Sequence, residues 1–248
     1  MTDINVYKKL IRIYIDAPLA QDVSAALSTA QAHYFHNVMR KNAGDMIRVF
    51  NGHDGEWLCQ IERLNKKNGQ VLAQKQLKPQ REDSAQPDQN ITLIFAPIKK
   101  QRLDFLIEKA VELGVTSLQP VLTQNTEMRK INAERIEAQI IEAAEQCERL
   151  DIPNLLPLTT LEKAAPQHPL IYAAIERLDD TPHIVEVTDT SKCALLIGPE
   201  GGFTADEITW LSTLKQVTAV GLGSRIMRAE TAALYGLAHL TCSSVIKK

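Results

Sequence analysis

The sequence predicts an α/β protein: a small β-rich module followed by a larger domain in which buried strands alternate with helices. Three observations carry that expectation. Short strand-like runs broken by tight turns fill the first 78 residues. A polar stretch without hydrophobic period follows. The last third then holds two glycine loops, each lying between an apolar run and a helical pattern.

At 248 residues the chain suits one large domain or two modest ones, and a hydrophobic content of 44% is ordinary for a globular protein. Aromatic residues make up only 5%, too few for base-stacking platforms to dominate contacts with a nucleic acid. The net charge of −2 argues against non-specific coating of nucleic acid, but it hides an asymmetry. Residues 1–78 carry 11 Lys and Arg against 7 Asp and Glu, while the remainder carries 17 against 23. Phosphate contacts are therefore expected partly in the N-terminal module, with ordinary scatter of surface charge as the alternative. Cys59, Cys147, Cys193 and Cys242 form no CxxC and no zinc-like spacing with histidine. Cys147 and Cys193 read as packing residues. Without a charged-then-apolar leader or an apolar run near about 18 residues, a reduced, cytoplasmic protein off the membrane is expected.

Residues 10–15 make the first strand, closed by Asp16-Ala17-Pro18. Residues 30–40 suit a helix with His33, His36 and Arg40 on one side. A metal site there lacks a third ligand, so no metal is expected. Three strands follow at 46–50, 56–61 and 70–77, separated by the turns Asn51-Gly52-His53-Asp54-Gly55 and Lys66-Lys67-Asn68-Gly69. Arg40 and Lys41 are candidate phosphate contacts, although such pairs are usually solvated faces. Residues 79–90 are polar, bear proline and lack period; they form a linker able to reach roughly 40 Å.

Residues 91–96 are a buried strand that opens the second domain, which runs to residue 248. Lys99, Lys100 and Arg102 crowd its exit, where cations can meet phosphates. The helix at 103–113 buries Leu103, Leu106, Ile107, Ala110 and Leu113 at helical spacing and stops at Gly114. A strand at 117–122 leads to Gln124-Asn125-Thr126. A long amphipathic helix at 132–150 places Glu145 and Arg149 four apart on one face, as a salt bridge or as part of a site. Signals over 151–192 are weak apart from a strand at 170–175.

The first glycine loop, Gly198-Pro199-Glu200-Gly201-Gly202-Phe203, leaves the buried run Ala194-Leu195-Leu196-Ile197. It enters a helix through Thr204-Ala205-Asp206-Glu207, which reads as a capping box. Alone it also suits a bare β-to-α turn. The second loop runs from Leu222 to Ala232 and holds Gly223, Ser224, Arg225, Ile226, Met227, Arg228 and Glu230. It lies between a buried strand at 217–220 and an Ala- and Leu-rich helix at 229–244. Two such loops at the carboxyl ends of successive strands are where open α/β sheets bind ligands.

Together the two loops resemble the knotted SPOUT methyltransferases, and within them the bacterial RsmE family, which methylates N3 of a uridine in small-subunit ribosomal RNA. The resemblance spans the chain. Lys109, Glu112, Leu113 and Gly114 match the family's K-x-x-E-L-G, and Glu145, Gln146 and Arg149 match its E-Q-x-x-R. Gln124-Asn125-Thr126 departs from the Glu-Arg-Ser of many members, which removes an arginine from that spot. The resemblance implies a PUA-like, RNA-binding β-barrel at 1–78 and an α/β methyltransferase domain at 91–248. That domain would end in a trefoil knot, a known exception to unknotted topology. The implied cofactor is S-adenosyl-L-methionine, the partner is 16S ribosomal RNA in the small subunit, and the assembly is a homodimer. Leu196, Ile197, Gly198, Gly202, Leu222, Gly223, Ser224, Ile226 and Met227 would form the cofactor site, largely through backbone groups. Arg225, Arg228 and Glu230 would be catalytic. Arg40, Lys41, Lys99, Lys100, Arg102 and Arg149 would contact RNA. N3 of uridine must lose a proton, and a guanidinium can stabilise the charge that reaches O2 and O4. Glu230 would orient an arginine or relay the proton. The alternatives are a SPOUT 2′-O-ribose methyltransferase and a non-catalytic RNA-binding assembly factor.

Overall fold

A computed structural model of the chain describes residues 7–80, 90–176 and 181–245. The expected linker at 79–90 therefore lies almost entirely outside the described residues. The chain divides into two compact units, Met1–Ser84 with Ala144–Ile152, and Ala85–Ala143 with Pro153–Lys248.

The first unit holds β1 (Arg12–Tyr14), β2 (Ser24–Leu27), β3 (Met46–Phe50), β4 (Glu56–Leu64) and β5 (Gly69–Lys78). They form one sheet in the order β1-β3-β4-β5-β2, parallel at β1–β3 and antiparallel elsewhere. Ile47, Val49, Cys59, Ile61, Val71 and Ala73 point alternately inward and pack with Phe35 and Trp57. β2 escaped the sequence reading because Ser24-Ala25-Ala26-Leu27 has no β-branched or aromatic residue. The helix expected at 30–40 is one α-turn, α1 (Thr29–His33), capped reciprocally by Ser28 and Gln31. It continues as a wide π-turn over Tyr34–Val38, and Arg40 follows at φ +51°.

Buried charges fasten this unit. Arg12 Nε donates to Glu56 Oε2 at 2.6 Å, and Arg48 Nη1 donates to Glu56 Oε1 at 3.2 Å. Arg48 and Lys78 in turn hold Glu148, at 2.8 and 3.1 Å. Arg12 also lies 3.7 Å over the Phe50 ring and donates to the carbonyls of Ala144 and Arg149. A returning segment of the chain is thus gripped by a strand near its start, and Tyr14 N–H donates to Glu145 at 2.9 Å.

That grip corrects the helix expected at 132–150. α3 (Ala133–Gln146) stops early, and Glu148 is left-handed at φ +60°. Arg149 therefore lies off the helix and cannot share a helical face with Glu145. Its Nε donates to Asp151 at 3.2 Å instead. The sequence reading placed residues 91–248 in one domain, whereas Ala144–Ile152 packs with the first unit.

The second unit is a parallel sheet. Its strands are β6 (Asn90–Phe95), β7 (Ser117–Leu122), β8 (Asn154–Leu155), β9 (Thr159–Thr160), β10 (Ile171–Ala174), β11 (Lys192–Ile197) and β12 (Val217–Val220). The order is β12-β10-β11-β6-β7-β8, with β9 on β7, and every pairing is parallel. Leu93, Ile94, Leu195 and Leu196 at its centre are fully buried, as continuous apolar runs require. β12 is an edge strand in which only Val220 is buried, so the expectation of a strand buried along its length is corrected. The remaining helices are α2 (Lys100–Glu112), α4 (Leu161–Ala164), α5 (Ala205–Thr213) and α6 (Ala229–Val245). α6 lies close on β11: a Cβ added at Gly236 would sit 2.7 Å from the Leu195 side chain. Cys193 is buried, and burial pushes its thiol up to about 12, whereas Cys147 is exposed and is not the packing residue expected.

Candidate active site

Register fixes where the loops emerge. Ala174 of β10 pairs with Ile197 of β11 and with Val220 of β12, so both glycine loops leave the same edge of the sheet at one level. One strand lies between them, a separation of about 10 Å. Phe95 of β6 pairs with Ile197, which sets the basic loop beside the first glycine loop on its other side. In the sheet β7 and β8 lie on one side of β6, and the later strands β11, β10 and β12 lie on the other. This reversal is the switch point where open parallel sheets bind ligands.

The first glycine loop is braced. Thr204 caps α5, with the capping box formed as expected. Glu207 is buried and divides its carboxylate: Oε2 accepts from Thr204 N–H and Oε1 from Gln124 N–H, both at 2.8 Å. Asn125 Nδ2 donates to the carbonyls of Gly201 and Gly202, each at 3.1 Å. Thr126 Oγ1 accepts from Thr123 N–H at 2.8 Å. The Gln124-Asn125-Thr126 segment thus serves as a bracket for the glycine loop, a role the sequence did not disclose.

The second loop is open. Gly223, Ser224, Arg225, Ile226 and Arg228 are exposed, and Leu222 and Met227 are half-buried. Ile226 is 63% exposed, which is high for an apolar side chain. Among the described residues, Arg225 and Arg228 make no side-chain hydrogen bond or ion pair. Gly202 and Gly223 are left-handed at φ +69° and +114°, and nothing lies within 4 Å of a Cβ built on Gly202. A ligand can therefore approach the peptide there. This accessible backbone fits a nucleoside cofactor held by main-chain groups. Leu196 and Ile197 lie in the core, so only their backbone can serve such a ligand.

Arg102 ties the two loops together. Its Nη1 is hydrogen-bonded to Glu200 of the first loop, and its Nε lies 3.8 Å from Oε1 of Glu230, in the first turn of α6. Glu230 is buried, and its Oε2 has no hydrogen-bond partner among the described residues. The arginine beside Glu230 is Arg102, which the sequence assigned to RNA. Lys99 and Lys100 are exposed at the start of α2. In the first unit Arg40 is exposed and Lys41 partly so. The Arg149 side chain is only 12% exposed and is engaged by Asp151.

A cleft of about 360 Å³ opens where the loops after β6, β7 and β11 meet. Pro97, Ile98, Lys99, Asn125, Glu127, Met128 and Pro199–Gly201 line it. Apart from Lys99 these residues were missed in the sequence. Glu200 stood in the glycine motif and Asn125 in the departure from the family pattern, but nothing local marked Pro97 or Met128 as neighbours.

Comparison with known proteins agrees with this arrangement. A family model described as an RNA methyltransferase domain matches residues 85–241, and one described as an RNA methyltransferase PUA domain matches 27–73. The ribosomal RNA small subunit methyltransferase E of Rickettsia conorii is 36% identical over 94% of this chain and 95% of its own. That of Synechocystis is 32% identical over 88% and 73%. A ribosomal RNA small subunit methyltransferase E of Neisseria gonorrhoeae, solved with S-adenosyl methionine, superposes with a TM-score of 0.79 at 27% identity, covering 92% of this chain and 96% of that one. A Legionella pneumophila structure described as a methyltransferase with bound SAM also reaches 0.79, at 30% identity over 94% and 98%. The two glycine loops, the parallel sheet that carries them and these likenesses together place the chain in the RNA methyltransferase family, in the RsmE branch of the SPOUT methyltransferases.

Proposed function

We propose that the protein transfers a methyl group from S-adenosyl-L-methionine to N3 of a uridine in the 16S ribosomal RNA of the small subunit. The observation that carries this reading is the pair of glycine loops leaving one sheet edge at one level. The relatives' shared name and the neighbours solved with the cofactor support the substrate and the donor. The cofactor supplies an electrophilic methyl carbon on a sulfonium. Backbone groups of Leu196, Gly198, Gly202, Leu222 and Met227 would hold its adenine and ribose, while Ile197, Gly223, Ser224 and Ile226 would shape the walls. Holding donor and acceptor in line supplies proximity. When bound, the cofactor would supply its methyl to N3 as N3 gives up its proton, and Glu230 would relay that proton or orient an arginine. Arg225 and Arg228 stabilise the charge that reaches O2 and O4.

The N-terminal module, residues 1–78, reads RNA with Arg40 and Lys41, and Lys99 and Lys100 add phosphate contacts from the second domain. Arg149 leaves that set because Asp151 engages it. The linker, the C-terminal trefoil knot and a homodimer paired through α6 complete the reading. A cytoplasmic location fits its ribosomal substrate, and among the described residues no helix is long and apolar enough to cross a membrane. The test is to incubate the protein with labelled cofactor and undermethylated small subunits and to map the modified atom. Label on a ribose 2′-oxygen would move the protein to the other SPOUT branch. Binding of subunits without transfer would make it an assembly factor.

A further inference from the structure

The first glycine loop has two sides. One faces the second glycine loop across a single strand. The other lines the cleft with Pro97–Lys99, Asn125, Glu127 and Met128, to which the second loop contributes no residue. We propose that the donor lies on the first side and that this cleft receives the acceptor uracil, with Arg102 supplying positive charge to a ring oxygen. The proposal rests on the functional reading above and adds where the base is held: Arg102 meets O4 from the cleft, while Arg225 and Arg228 reach O2 from the second loop.

Size and lining favour a base. A cleft of about 360 Å³ is at the low end of small-molecule pockets, which suits one nucleoside. Its lining includes the buried Pro97, Ile98 and Pro199, flat or branched apolar surfaces that a pyrimidine face can cover. Met128 stands at the rim, 41% exposed, and its unbranched thioether can lie over the other face. This partly replaces the aromatic stacking surface that the chain lacks. N3 lies on the pairing edge, so the base must enter the cleft unpaired and splayed out, its apolar residues meeting the ring faces and Lys99, Asn125, Glu127 and Glu200 lining the rest.

The polar groups point to uracil over cytosine. Arg102 is held by Glu200, a cleft residue, and its side chain remains 37% exposed, open to a ligand. A guanidinium only donates, so it matches a carbonyl oxygen of uracil and clashes with the amino group that cytosine carries at the same place. When N3 loses its proton, charge moves onto O2 and O4, and Arg102 then faces an anion in place of a neutral ring. Glu230 holds the guanidinium from behind, with one carboxylate oxygen still unpaired to accept a second donor as the arginine turns. Asn125, itself a cleft residue, pins the first glycine loop, over whose edge donor and acceptor meet.

The experiment uses the full-length protein, undermethylated small subunits and labelled cofactor, with Met128→Trp, Met128→Leu and Arg102→Ala. Met128→Trp narrows the mouth of the cleft from an exposed position. It should raise KM for subunits about tenfold or more with cofactor affinity unchanged, whereas Met128→Leu, which keeps an apolar side chain of similar size over the base, should raise it far less. Arg102→Ala should lower kcat and move the pH at which kcat reaches half its plateau upward, because the bound N3 becomes a weaker acid. Unchanged subunit kinetics in Met128→Trp overturns the cleft assignment while the wild type still methylates N3. Loss of cofactor affinity in Met128→Trp also overturns it, since the cleft would then belong to the donor. A wild-type enzyme that methylates another atom is a different failure, that of the functional reading itself.

Discussion

The two units use charge in opposite ways. In the first, Arg12, Arg48 and Glu56 are buried together, and Lys78 and Glu148 extend the cluster to the surface. These charges hold one strand, its neighbours and a returning segment in a single arrangement. In the second unit the interior is an apolar parallel sheet, and Arg102, Glu200 and Glu230 gather where its strands end. The contrast teaches that a charged residue's place in the chain says little about its work. Arg12 lies in the net-positive module and Arg149 was read as an RNA contact, yet the first is a core tie and the second is engaged by its own loop.

The sharpest way to break the comparison is Glu56→Ala. It leaves two guanidiniums buried without their shared partner, which should cost about 3–5 kcal/mol of stability. Cofactor affinity of the molecules that remain folded should not change. Chemical denaturation paired with calorimetric titration checks both halves. A stability loss below about 1 kcal/mol would show that the cluster is solvated in practice.

Arg228→Ala probes the opposite use of charge. The side chain is exposed and makes no ion pair among the described residues, so stability should barely move. Turnover should fall about 100-fold, the scale of one lost donor to a developing anion, with cofactor affinity kept. If affinity falls and turnover of the bound complex holds, Arg228 is a binding residue and its catalytic assignment fails.

Gly223→Val tests the backbone's part. At φ +114° a β-branched residue is strained whatever the space around it. Cofactor affinity should drop at least about tenfold, equivalent to about 1.4 kcal/mol, while the exposed loop leaves the fold intact. Gly198→Val gives a matched case in the braced loop, where a Cβ would meet the Phe203 ring at 3.0 Å, so a stability loss should accompany the loss of affinity. Equal cofactor affinity in both variants and wild type would remove the pocket from these loops.

The second unit was the more legible because its signals are local. Continuous apolar runs marked β6, β7, β10 and β11 to within two residues, and Thr204 with Glu207 announced the start of α5. β12 misled because an edge strand can carry the same Val217-Thr218-Ala219-Val220 as a central one; only the sheet order separates them. The helix expected to reach residue 150 failed for a tertiary reason. The amphipathic period continues past Gln146, but Arg12 takes the carbonyl of Ala144, and Glu148 turns left-handed toward Arg48 and Lys78. No spacing within 132–150 encodes a partner more than 100 residues earlier. The same holds for the site: the loops could be read, but which arginine Glu230 orients could not.

The smallest expected effect concerns the solvent-exposed end of the ion cluster. Hydrogen bonding from Arg48, assisted by Lys78, outweighs burial and holds the Glu148 carboxyl down at about 2, against 4.5 for an unperturbed glutamate. A carboxylate whose pKa is lower in the folded state stabilises the fold above its unfolded value. That contribution is lost as pH falls from about 4.5 toward about 2. Glu148 is 37% exposed, so solvent screens the pair and the contribution should be no more than about 1 kcal/mol. Glu148→Gln keeps the shape and removes the titration. Urea midpoints of the two proteins should differ by a constant amount above pH of about 5, and the difference should shrink to nothing toward about 2. A gap that persists at the acid end would mean that Glu148 works through its left-handed turn and not through its charge.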